Sequence, residues 1–200
     1  MTDIVKGIHT ALGDDGVFVF EVSYVPDTIS NCVFDTNYHE HVSHHALTPL
    51  EAIFRKQDTT PFDAQRVASK GRSIRGFTQK LSSGKRPQSA GLKALFAEED
   101  RRGIIKPEIY REFYKAIESK KKVVLDYVQA EKAQGKIIAV YGASTTATTL
   151  FYHFELRPLA SFMLDDNPIK YGTCSPSAHL PVHPSSVPME KKPDLVAILA

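Results

Sequence analysis

The chain has 200 residues, 42% hydrophobic and 24% charged, proportions that suit a folded protein with one or two modest cores and exclude a disordered tract. Its formal net charge of +2 is too small to argue for nucleic acid, and Lys120-Lys121-Lys122 and Lys191-Lys192 are runs short enough to be solvated faces. No apolar run approaches the roughly 20 residues of a membrane helix, and no signal-peptide core opens the chain, so the expectation is a cytoplasmic protein with neither nucleic acid nor membrane as partner.

Cys32 and Cys174 lie far apart, and neither belongs to a Cys-x-x-Cys pair. That spacing argues against a thiolate zinc site, and a cytoplasmic chain would keep both thiols reduced.

Residues 3–12 set Ile4, Ile8, Ala11 and Leu12 at helical spacing before Gly13, which predicts a short amphipathic helix. Gly16 then starts Val17-Phe18-Val19-Phe20-Glu21-Val22, a β-branched and aromatic run expected to be a fully buried strand of a mostly parallel sheet. Helix, glycine turn and buried strand are half of a doubly wound unit, so the chain reads as though it begins partway through a domain. Residues 24–30 are expected to be loop, broken by Pro26-Asp27.

Asp35-Thr36-Asn37-Tyr38-His39-Glu40-His41-Val42-Ser43-His44-His45 follows, with a phenol, two carboxylates and four imidazoles in eleven residues. Histidine, with an unperturbed pKa of about 6.5, exchanges protons near neutrality, and a neighbouring carboxylate can orient it. Local chemistry leaves three readings open. The stretch could be a polar loop that bonds to itself, or a metal site drawn from residues 39–45, although it lacks a helical His-x-x-x-His motif. It could also be an acid-base site in which His41, assisted by Glu40 and Tyr38, removes a carbon-bound proton.

Thr48-Pro49-Leu50-Glu51 has the form of a capping box with proline at the first helical position, which predicts a helix to about Gln57. The dipole at its start could stabilise an anion near the histidines. Residues 62–67 and 73–78 read as a hairpin joined around Gly71, and the Ser/Gly/Lys/Pro composition of residues 81–89 marks the expected domain boundary. A polar helix over 92–102 should end at Gly103. Pro107 should open a long helix to about 134, in which Tyr110, Phe113, Ile117, Val124 and Val128 recur at helical spacing; at about 1.5 Å per residue it is long enough to bridge two domains.

Ile137-Ile138-Ala139-Val140-Tyr141 predicts a second buried strand, and Gly142-Ala143-Ser144-Thr145-Thr146 leads into a helix ending near Leu156. Strand, small-residue turn and helix start together form the geometry that binds phosphate, though a lone glycine there is a weak signal. Residues 159–164 should be the next parallel strand. It ends in Asp165-Asp166-Asn167-Pro168, where a ligand would sit at the carboxyl edge of the sheet. After a proline-rich connection, residues 194–200 begin another strand, and the chain stops inside it.

Phe34-Asp35-Thr36-Asn37-Tyr38-His39-Glu40-His41-Val42-Ser43, with Leu47-Thr48-Pro49-Leu50 after it, resembles the central motif of the S-adenosylmethionine-dependent sugar C-methyltransferases. Gly71-Arg72-Ser73-Ile74-Arg75 is similar to a second motif of that family. Tyr141-Gly142-Ala143-Ser144, taken with Leu164-Asp165-Asp166-Asn167-Pro168-Ile169-Lys170-Tyr171-Gly172, Pro176 and Leu180-Pro181-Val182, is similar to a third.

The resemblance implies C-3 methylation of a nucleotide-linked 4-keto deoxysugar, with Tyr38, Glu40 and His41 as catalytic residues. It implies substrate contacts from Ser73, Arg75, Tyr141, Gly142, Ser144, Asp166, Asn167 and Lys170. S-adenosyl-L-methionine is the implied cofactor and a nucleotide-diphosphate sugar the implied partner. This chain departs from the family in three ways: the cysteine-rich module and the glycine-rich donor loop are missing, Thr146 stands where a lysine is usual, and Arg72 replaces a glycine. A separately encoded donor-binding domain is therefore a further expected partner.

The expected fold is α/β: the incomplete end of a Rossmann-like methyltransferase sheet over residues 1–80, then a Rossmann-like substrate domain over 81–200 with a long bridging helix. The competing expectations are a truncated, non-catalytic nucleotide-sugar-binding remnant and a metal-dependent enzyme using residues 39–45.

Overall fold

The computed structural model describes residues 1–68, 73–176, 178–187 and 191–199. The protein is a mixed α/β chain of two compact units, the first made of Met1–Val33 and Ser43–Tyr114, the second of Phe34–Val42 and Lys115–Ala200.

The first unit is built on three antiparallel strands, β1 (Phe18–Ser23), β2 (Thr59–Val67) and β3 (Ser73–Lys80), in the order β1-β3-β2. Phe20 and Val22 lie two residues apart on one face of β1, and Val22 is registered with Ile74. Helices α1 (Thr2–Ala11) and α3 (Leu47–Arg55) cover that face: Val5, Leu50 and Phe54 close over Phe20 and Val22. Helix α4 (Ala90–Arg102) adds Leu92 and Leu95 to Tyr24, Leu47, Ala64 and Ile74.

Gly76 is registered with Phe20, whose ring occupies the space where a Cβ would stand. Only a residue without a side chain lets that ring lie flat against β3.

The expectation for the first strand is corrected here. β1 is an edge strand of an antiparallel sheet, and Val19, on the face opposite Phe20, is 49% exposed. A short apolar run fits a half-buried strand as well as a buried one, and here alternate residues are turned outward. Residues 25–30 are a helix rather than a loop, α2 (Val25–Ser30), because proline at an early helical position gives up only an amide that has no helical partner anyway.

The hairpin of β2 and β3 forms as expected; its turn at Gly71 and Arg72 lies outside the described residues. Residues 81–89 are tied into the first unit, where the side-chain amide of Gln79 bonds both Arg86 O and Arg86 N, and Ser89 Oγ donates to Asp63.

Helix α5 (Pro107–Ala133) forms as the spacing predicts. In the second unit, β4 (Ile138–Tyr141), β5 (Phe162–Asp165), β6 (Val182–Pro184) and β7 (Leu195–Ile198) make a parallel sheet in the order β6-β5-β4-β7. Ile138 and Val140 face α6 (Thr145–His153) and α5 through Phe151 and Val128, while Ala139 faces the opposite side with Phe162 and Leu164. Burial on both faces explains the uninterrupted apolar reading of β4. Phe151 is 1% exposed, and removing its ring from water stabilises the unit by about 1.5–3 kcal/mol. β6 lies within the proline-rich connection; Pro184 hides it from a sequence reading, since proline is uncommon inside strands.

Candidate functional site

Residues 34–42 belong to the second unit and form successive tight turns. Asn37 N donates to Phe34 O at 3.0 Å, Tyr38 N to Thr36 O at 3.1 Å and His41 N to Tyr38 O at 2.9 Å. This winding places the rings of Tyr38 and His41 over one another, with centroids 4.6 Å apart and planes inclined by 28°. The phenol oxygen lies 3.4 Å from His41 Nε2. Glu40 pairs instead with His39, at 4.0 Å between Oε1 and Nε2, and both side chains are largely exposed. The side chain beside His41 Nε2 is thus Tyr38, whose phenol donates to that nitrogen or accepts from it according to the imidazole tautomer.

Among the described residues no group of three His, Cys, Asp or Glu side chains converges as metal ligands. His44 and His45 belong to the first unit, where His45 O accepts from Val25 N at 2.9 Å and Ser43 Oγ lies 3.2 Å from His45 Nε2. Burial and then the proximity of His44 push the His45 pKa below the ordinary histidine range.

The helix after the histidines starts at Leu47, and the capping box does not form. Ala46 is the N-cap, Thr48 lies inside the first turn, and Glu51 pairs with Arg55 at 3.0 Å. Glu99 of α4, which the sequence reading missed, takes over the capping. Its buried carboxylate accepts from Leu47 N (2.7 Å), Thr48 N (2.8 Å), Thr48 Oγ1 (2.6 Å) and Tyr24 OH (2.9 Å). The signal was tertiary: 52 residues separate Glu99 from Leu47.

Ser73 and Arg75 stand on β3 in the first unit. Ser73 is buried between Ser23 and Val67, and Arg75 forms a two-nitrogen ion pair with Glu21 Oε2 at 2.9 and 3.2 Å.

The remaining residues expected to contact substrate gather at the carboxyl ends of β4 and β5. Gly142, with φ of 105°, turns the chain out of β4 in a conformation that L side chains rarely adopt. Its amide donates to Leu164 O at 2.8 Å, and the Ala143 amide donates to Asp165 Oδ2 at 2.8 Å. Ser144 caps α6 by accepting from Ala147 N.

Asp165 also accepts from Lys170 Nζ (2.8 Å) and Asn167 N (2.8 Å). Burial alone would raise its carboxyl; the bonds from Lys170 and the two amides outweigh it and hold the group below the usual carboxylate range. Asn167 caps the 3-10 helix Pro168–Lys170 through its Oδ1. Asp166 accepts from the Tyr141 phenol at 2.5 Å, and hydrogen bonds from Ser185 and Tyr141 lower its pKa. Tyr141, Gly142, Ser144, Asp166, Asn167 and Lys170 are thus one cluster at the sheet's carboxyl edge. Asp165 and Ser185 complete it, and neither was singled out from the sequence.

Residues 68–200 match the model of the C-methyltransferase C-terminal domain. The chain belongs to this family. Over 203 aligned residues it is 29% identical to the C-methyltransferase NovU of Streptomyces niveus, an alignment covering 99% of this chain and 47% of that protein. It therefore spans about half the length of the curated relative it matches. The matched span takes in β3, α4, α5 and the Lys115–Ala200 part of the second unit. The Tyr38–His41 pair lies ahead of that span, within the stretch aligned to NovU.

Proposed function

We propose that this chain supplies the proton-removing and substrate-binding parts of an S-adenosylmethionine-dependent C-methyltransferase acting on a nucleotide-linked 4-keto deoxysugar. The Tyr38–His41 stack carries the reading, because it holds an imidazole nitrogen beside a hydrogen-bond donor. A ketone at C-4 acidifies the neighbouring C-3 proton. His41 Nε2 accepts that proton, the C–H electrons pass into the C-3/C-4 enolate, and the Tyr38 phenol donates to the developing oxyanion. Acid-base help of this kind contributes about 10²–10⁴-fold, and preorganised stabilisation of the oxyanion can contribute as much again. Glu40 would enter by steering His41 once substrate reshapes the loop.

The cluster at the ends of β4 and β5 would hold the nucleotide. The strand order β6-β5-β4-β7 corresponds to the 3-2-1-4 arrangement of a doubly wound sheet, which supports a Rossmann-like reading of the second unit's sheet. With the Gly142 and Ala143 amides engaged by Leu164 and Asp165, the diphosphate would meet the Thr145 and Thr146 amides at the start of α6. Ser73 and Arg75, in the first unit, are read as substrate contacts on the resemblance alone.

S-adenosyl-L-methionine is the methyl donor that the family implies. The described residues do not fit it: the only strand-to-helix turn with a left-handed glycine spends its amides on β5, and no Gly-x-Gly occurs in the chain. The chemistry assigned to this chain therefore ends at the enolate. A donor-binding part is the partner required, joined to residues 1–80 as the end of a methyltransferase domain. No helix among the described residues is long and apolar enough to cross a membrane.

The test supplies a donor-binding part and follows loss of deuterium from C-3 of a thymidine-diphosphate-linked 4-keto deoxysugar. Replacing His41 by alanine or asparagine should abolish the loss; undiminished exchange removes His41 from the mechanism. Because the chain spans about half of its relative, a binding-only remnant is the competing reading. Tight binding of the nucleotide sugar with no exchange in the unmodified protein would favour it.

A further inference from the structure

Among the described residues, the loop that carries Tyr38 and His41 pairs with no neighbouring strand; its backbone bonds are the short turns among residues 34–41. Among the described residues, two attachments hold it within the second unit, one to α6 and one to the end of α6 and its C-cap Phe154. At Asn37, one residue before Tyr38, the backbone carbonyl accepts a hydrogen bond from Thr149 Oγ1 at 3.3 Å. At the start of the loop, Phe34 is 9% exposed and packs against the last turn of α6. Its ring meets His153 edge-on at 4.9 Å and 70°, and Phe154 at 5.9 Å. His153 is itself held, with Nε2 3.0 Å from Glu118 Oε1 of α5.

The other end of α6 is the turn of Gly142, Ala143 and Ser144, where the nucleotide's diphosphate is expected. Nine residues at about 1.5 Å each make a strut of about 13 Å between the two. A helix of this length, packed through Phe151 into the core, does not stretch.

We propose that α6 is the mount that sets the distance between the bound nucleotide and the proton-removing pair, with Thr149 as the positioning residue for His41. Thr149 touches no reacting atom. Its hydroxyl grips the carbonyl at which the chain turns into Tyr38, and so it decides where the stacked pair of rings stands along the strut. The inference rests on the reading of His41 as the base. It adds a specific consequence: loss of the grip leaves the nucleotide seated and the base misplaced, a defect in turnover and not in binding.

The experiment compares Thr149→Val, which keeps the shape and loses the hydroxyl, with Thr149→Ser, which keeps the hydroxyl. The full chain is combined with a donor-binding part, and three quantities are read: C-3 deuterium loss, KM for the thymidine-diphosphate-linked sugar, and affinity for thymidine diphosphate alone. Thr149→Val should lower kcat for exchange by about 10- to 100-fold, the scale of a sub-ångström to ångström misplacement. KM and thymidine diphosphate affinity should stay within about twofold, and Thr149→Ser should recover most of the rate. Full exchange in Thr149→Val overturns the proposal, as does a loss of thymidine diphosphate affinity that matches the loss of rate.

Should Thr149→Val fail to fold, Phe34→Leu loosens the second attachment and is read in the same way, with the same two overturning results. His41→Asn, run alongside, separates the layers. Exchange surviving in His41→Asn defeats the base assignment itself, whereas exchange lost in His41→Asn but intact in Thr149→Val defeats only the mount.

Discussion

The buried phenol of Tyr24 donates a 2.9 Å hydrogen bond to Glu99, joining the residue just after β1 to the last turn of α4 across 75 positions of sequence. Burial first, and then the negative charge of Glu99, push the Tyr24 pKa well above the ordinary phenol range, so the phenol stays a donor at every physiological pH. The same carboxylate holds the first amides of α3, so one group fixes two ends of the segment that contains the histidines.

Glu99→Ala should therefore be costly. It strands the Tyr24 hydroxyl, two α3 amides and the Thr48 hydroxyl in a site with little water. With about 1–3 kcal/mol for each buried group left without a partner, and some relief from relaxation, a loss of about 3–5 kcal/mol is expected in urea unfolding. Glu99→Gln should fall between, because an amide offers one acceptor oxygen where four donors converge. A change under about 1 kcal/mol in the alanine variant would show that the node is dispensable.

Tyr38→Phe keeps the ring stack on His41 and removes the hydroxyl that lies 3.4 Å from Nε2. The expected outcome is a fall in C-3 exchange of about 10- to 100-fold with KM for the nucleotide sugar little changed, since the lost hydrogen bond matters most as charge develops on the oxygen. A raised KM with kcat unchanged would place Tyr38 in ground-state binding.

At the sheet edge, Tyr141→Phe and Asp166→Asn remove the two halves of a 2.5 Å hydrogen bond. Each should weaken thymidine diphosphate binding by about 3- to 30-fold in calorimetry, and the double variant should lose less than the product of the two, because coupled partners are not additive. Purely multiplicative losses would mean that the two side chains contact ligand independently.

The depressed pKa of His45 has a stability consequence with a definite sign. Between its folded value and the unfolded value of about 6.5, the unfolded chain binds more protons than the folded one, so stability rises with pH across that window. The contribution is complete above about pH 6.5 and is lost as the pH falls through the folded value. Urea midpoints should drop from pH 7 to pH 5 in the parent protein, and His45→Asn should flatten that part of the curve. An equal drop in the variant would assign the effect to another group.

Elements whose signals are local were legible in the chain as written. The helix ended by Gly103, the long helix after Pro107 and the strand before Gly142 all formed, as did the hairpin of β2 and β3. The readings that failed were those for which two structures share one local pattern. Val17 to Val22 suits a buried parallel strand as well as the antiparallel edge it became, and Thr48 to Glu51 suits a capping box as well as a helix capped from a distance by Glu99. β6 was missed because its proline, Pro184, speaks against a strand that pairing with its neighbour β5 makes favourable.

For the site, sequence alone determined the inventory: which imidazoles, phenols and carboxylates the chain carries, in what order, and how closely its wording follows the C-methyltransferases. Tertiary structure decided the pairings: Tyr38 with His41, Glu40 with His39, Asp165 with the turn after β4, and Thr149 with the carbonyl before the ring stack. The physical reason is reach. Propensity, capping and periodicity act over a few residues along the backbone, whereas a hydrogen bond between side chains many residues apart exists only after burial of apolar faces has paid the entropy of bringing them together.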